Sequence, residues 1–105
     1  MKKIYNNFKH KTNYTIGVEE EYMLCDPASG DLVDCASQII NNLPASLKKR
    51  YSYELILSEI EVNTSVCVDV SEAIEEIRYL RKNTIKIVEN LGFKLGISGT
   101  HPTSL

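Results

Sequence analysis

The chain has 105 residues, 43% hydrophobic, 25% charged and 8% aromatic, with a formal net charge of −2. This is the profile of one globular domain able to bury about two-thirds of its unfolded surface. Five Gly and three Pro without periodicity exclude collagen-like and low-complexity chains. No apolar run approaches the roughly 20 residues of a membrane span, and the basic start MKKIYNNFKHK lacks the apolar stretch of a signal peptide.

In chain order, residues 1–13 carry four Lys and no acid, and are expected to form a flexible basic leader. Tyr14 to Cys25 (YTIGVEEEYMLC) reads as a strand, because Val18, Tyr22 and Leu24 alternate onto one face and Glu19, Glu21 and Met23 onto the other. Glu20 falls on the apolar side, where it requires the sheet margin or a base from residues 78–86. Asp26 to Asp31 (DPASGD) is a turn, with Pro27 fixing φ early and Gly30 permitting positive φ late. Leu32-Val33 would form a short return strand. Ser37 to Leu43 suggests a short helix with Ile39, Ile40 and Leu43 inward, stopped by Pro44.

Tyr53 to Thr64 (YELILSEIEVNT) reads as a second long strand, with Ile60 and Val62 opposite Glu59, Glu61 and Asn63. Ser71 is the expected N-cap of a helix reaching about Asn90, acidic in its first turn and basic in its second half. Ala73, Ile74, Ile77, Leu80, Ile85, Val88 and Leu91 supply its apolar stripe, and Gly92 its C-terminal stop. Phe93 to Ile97 is a third strand, and SGTHPTSL ends the chain. The expected fold class is α+β, an antiparallel sheet with helices on one face.

Charge is segregated: residues 14–34 hold six acids and no base, and residues 51–77 hold seven acids and no base. Strands are normally poor in Glu, so the i, i+2 pairs Glu19/Glu21 and Glu59/Glu61 stand out. If the two strands are neighbours, four carboxylates crowd one face. Such a face is either a hard-cation site, since Mg²⁺ takes carboxylate oxygens, or solvated acidic surface answered by Arg78, Arg81, Lys82 and Lys86. The GxxxxGK[ST], GxGxxG and HExxH patterns are missing from the sequence. Basic residues without interleaved aromatics argue against a nucleic-acid partner. Cys25, Cys35 and Cys67, odd in number and without a CxxC pair, suit reduced thiols in the cytoplasm.

Taken together, TIGVEEEYMLCDPASGDLV, ELILSEIEVNTSVC and LGISGTHP resemble the start of the glutamate–cysteine ligase type 2 family. The resemblance spans residues 15–102. It implies that residues 14–105 are the N-terminal part of a ligase catalytic domain whose sheet curls into a glutamine-synthetase-like funnel. It further implies an enzyme that joins the γ-carboxylate of glutamate to the amine of cysteine, or another small amine. ATP is the co-substrate and Mg²⁺ (or Mn²⁺) the cofactor, and an acyl phosphate is the intermediate. Glu19, Glu21, Glu54 and Glu61 match the family's metal ligands, and Thr64 and His101 are candidate substrate contacts. Members of the family are several times longer, so the 105-residue chain alone is expected to lack turnover. The alternatives are a non-catalytic remnant or interaction module, and one half of a split ligase completed by a partner chain. A bare sheet edge would favour self-association.

One parity problem follows. Glu54 and Glu61 are an odd number of residues apart, so an unbroken strand would point them to opposite faces. A β-bulge or strand interruption between Ile56 and Ile60 is therefore expected.

Overall fold

The computed structural model describes residues 15–97. The leader, His10 and the GTHP loop with His101 lie outside the described residues. The elements are β1 (Glu19–Cys25), α1 (Ala36–Asn41), α2 (Ala45–Lys48), β2 (Tyr51–Tyr53), β3 (Glu59–Asn63), α3 (Val70–Asn90) and β4 (Lys94–Gly96). The strands form one sheet in the order β2-β3-β1-β4, and every neighbouring pair is antiparallel. The fold is α+β, with helices packed on one face. No described helix is long and apolar enough to cross a membrane.

The alternation in β1 and β3 builds the core. Tyr22, Leu24, Ile60 and Val62 are fully buried beneath Ile39 and Ile40 of α1 and Ile77, Leu80 and Val88 of α3. Each such side chain contributes about 1.5–3 kcal/mol by leaving water. β1 enters the expected turn, where the Asp26 carboxylate accepts from the Ala28 and Ser29 amides and Gly30 takes a φ of +79°. Leu32 then bridges back to Cys25.

α3 differs from expectation at three places. Asp69, not Ser71, is its N-cap: the Asp69 side chain accepts from the Glu72 amide at 2.8 Å. No base lies in the last turn, so charge complements the helix dipole only at the N-terminal end. Ile74 is 46% exposed, while Thr84 is fully buried in the stripe. Thr84 satisfies its hydroxyl with the Leu80 carbonyl and the Tyr51 hydroxyl. At the C-terminus, the Phe93 amide donates to Val88 O and the Gly92 amide to Glu89 O. This double closure requires the left-handed backbone that Gly92 adopts, φ +92°.

Pro44 does stop α1, but it also opens the four-residue α2. The larger correction concerns Tyr53–Thr64, which is no single strand. The chain reverses through residues 54–58, and β2 pairs back on β3 with Tyr51 opposite Val62, Ser52 opposite Glu61 and Tyr53 opposite Ile60. The expected interruption is present as a hairpin rather than a bulge.

Candidate cation site

Pairing β1 with β3 sets Glu21 directly opposite Glu61, Glu19 opposite Asn63 and Met23 opposite Glu59. Residues opposed in an antiparallel pair share a face, with Cβ atoms about 4.5–5.5 Å apart. The face turned away from the helices therefore carries Glu19, Glu21, Glu59 and Glu61, together with Ser52 of β2. Glu54 follows β2 by one residue and keeps the alternation of Ser52, so it reaches the same side. Carboxylate oxygens of Glu21, Glu54 and Glu61 lie within 4.8 Å of one another.

Like charges this close are unfavourable, and Glu54 responds. Its carboxyl is pushed up to about 7, first by a hydrogen bond to Glu61 that needs the Glu54 proton, then by burial and by the charges of Glu21, Glu61 and Glu59. Among the described residues no Lys or Arg pairs with the three. The α3 bases do not reach across to them, because α3 covers the other face. Arg81 instead engages Glu20, with Nε donating to Oε1 at 2.9 Å and a second guanidinium nitrogen to Oε2. That pairing holds the Glu20 carboxyl below the usual range, and gives the acid on the apolar face the partner it required.

Three hard oxygen donors without a basic counterweight suit a hard divalent cation. With metal–oxygen bonds of about 2.1 Å, opposed ligands stand about 4.2 Å apart. Oxygens within 4.8 Å of one another are close enough to be shared by one such ion.

Glu19 shares the face but stands outside the trio, across from Asn63. It borders a hollow of about 400 Å³ that Asn63 and Thr64 also line. The Thr64 hydroxyl accepts from the Val18 amide at 3.0 Å, which ties the ends of the two segments together. Sequence reasoning missed Ser52, and it put Asn63 on the face of Glu59 and Glu61 without giving it a role. Ser52 donates to Glu61 Oε1, and Asn63 donates to Ser52, each at 3.4 Å. The alternation of Tyr51-Ser52-Tyr53 was the available signal.

The model of the glutamate-cysteine ligase family 2 (GCS2) matches residues 15–105. The chain is 40% identical over 93 residues to "Putative glutamate--cysteine ligase 2-1" of Rubrobacter xylanophilus, covering 89% of this chain and 25% of that protein. It is 36% identical over 93 residues to "Putative glutamate--cysteine ligase 2" of Bradyrhizobium diazoefficiens, covering 88% and 22%. With the protein of that same name from Roseiflexus castenholzii it shares 32% over 100 residues, covering 95% and 26%. The chain thus belongs to glutamate-cysteine ligase family 2, and spans about a quarter of the length of these relatives.

Proposed function

We propose that this chain is the cation-holding N-terminal part of an ATP-dependent ligase that joins the γ-carboxylate of glutamate to the amine of cysteine or another small amine. The observation that carries the reading is the convergence of Glu21, Glu54 and Glu61 on one open sheet face. Family membership and the printed names of the relatives support the substrate class. Mg²⁺ or Mn²⁺, when bound, would supply the positive charge that phosphoryl transfer to a carboxylate demands.

The chain's own residues have distinct parts in this reading. Glu21, Glu54 and Glu61 would hold the cation through their carboxylate oxygens, and Ser52 steadies Glu61. Glu19 and Thr64 border the neighbouring hollow, which would receive a substrate group. The three cysteines are free and buried, which supports a reducing, cytoplasmic setting.

Calorimetric titration of MgCl₂ and MnCl₂ into the wild type and a Glu21→Gln/Glu54→Gln/Glu61→Gln variant tests the site. Saturable heat in the wild type and its loss in the variant are expected. Equal heats in both would remove the trio from cation binding.

A further inference from the structure

We propose that the molecule associates head to tail with a second copy of itself, the β2–β3 loop of one copy seating in an apolar groove beside α3 of the next. Leu55, Ile56 and Leu57 of that loop are 101%, 54% and 53% exposed. The loop backbone is nonetheless fixed. The Leu24 amide donates to Ser58 O at 2.8 Å, the Ala36 amide to Leu57 O at 3.0 Å, and the Glu59 amide to Ile56 O at 3.1 Å. Three large apolar side chains are thus held outward on an anchored turn, which lowers the entropy lost on docking.

The groove lies between the start of β1 and one stripe of α3. Ile16, Val18, Val70, Ile74 and Ile77 line it, with Arg78 at its margin, and it encloses about 290 Å³. Val70 and Ile74 remain 59% and 46% exposed. Two acids of the first helical turns are directed elsewhere: Glu72 toward the Val68 amide, Glu76 toward Ser65 and Arg50. Arg81 is committed to Glu20, whereas Arg78 has no ion pair among the described residues.

The two surfaces match in chemistry and lie apart in space. Glu59 follows the apolar tip, and Arg78 lines the apolar groove, so loop and groove are complementary in charge as well as hydrophobicity. Loop against loop would oppose acid to acid, and groove against groove arginine to arginine. The loop precedes Glu59 at one end of β3. The groove adjoins the other end, where Thr64 joins Val18 and Cys67 bridges Ile16. Neither surface can meet its counterpart within one molecule, so the contact is heterologous and propagates from copy to copy. Association between copies rises with concentration.

Sedimentation velocity of the full chain in EDTA, over a wide concentration range, tests the proposal. It uses the wild type, Leu55→Asp, Ile74→Asp and their equimolar mixture. Both positions are exposed, and circular dichroism verifies that each variant stays folded. The wild-type sedimentation coefficient should rise with concentration and each variant alone should remain monomeric. The mixture should form dimers and nothing larger, because only the intact loop of Ile74→Asp and the intact groove of Leu55→Asp can pair. A monomeric wild type leaves the groove to some other partner and overturns the proposal. So does a single variant that associates normally, or a folded mixture that stays monomeric.

Discussion

Replacing Glu54 by Gln keeps the shape and a donor toward Glu61 but removes the ionisation. In the folded chain the Glu54 carboxyl titrates at about 7, against 4.5 when free of its neighbours. A raised folded value means that the folded state holds the proton longer than the unfolded state. Stability from this group is therefore fully present below about pH 4.5 and is lost as pH rises through about 7. Unscreened, that difference would amount to about 3 kcal/mol. The trio faces solvent, and screening reduces the expected loss to about 1 kcal/mol. For a domain of this size that corresponds to a melting shift of about 4–8 °C.

Thermal unfolding of wild type and Glu54→Gln from pH 4 to 8.5 in EDTA reads the effect. The two should melt together at the acid end, and the wild type should fall progressively below the variant up to about pH 7. Adding MgCl₂ at pH 8 should raise the wild type and leave the variant less affected. Parallel melting curves across the whole pH range would refute the carboxylate crowding on which the cation site rests.

Arg81→Met should cost about 1–2 kcal/mol in denaturant unfolding, less than the loss of a fully buried partner because both side chains keep some solvent. A second substitution, Glu20→Gln, should recover much of it. Because Arg81 depresses the Glu20 carboxyl, the wild type should lose this contribution as pH falls below about 4.5 and Arg81→Met should not. Tyr51→Phe removes the second partner of the buried Thr84 hydroxyl and should cost about 1 kcal/mol by chemical denaturation. Combined with Thr84→Val, the loss should be smaller than the two single losses added together. Leu80→Ala, which opens a cavity under the sheet, should cost about 2–5 kcal/mol by the same measurement.

Local patterns carried much of the structure into the sequence. The alternation in residues 19–25 and 59–63 identified both faces of β1 and β3, because side chains on a strand change sides at every residue. The 3.6-residue stripe and Gly92 delimited the long helix, and the lone acid on the apolar face of β1 called for a base on α3, which Arg81 supplies. What the sequence could not express was the reversal at residues 54–58. Leu55-Ile56-Leu57-Ser58 has none of the Gly, Pro, Asn or Asp that mark a turn, and it reads as more strand. The turn is held instead by backbone hydrogen bonds from Leu24 and Ala36, residues distant in the chain. That reversal decides the site. Along one strand, Glu54 and Glu61 must face opposite ways. Across the hairpin, an even-numbered residue of β2 stands opposite an odd-numbered residue of β3, as Ser52 does opposite Glu61. Glu54 is thereby brought to the face of Glu61 and Glu21. Tertiary pairing likewise buried Thr84, because Tyr51 arrived to bond it, and left Ile74 at a groove that no described element fills.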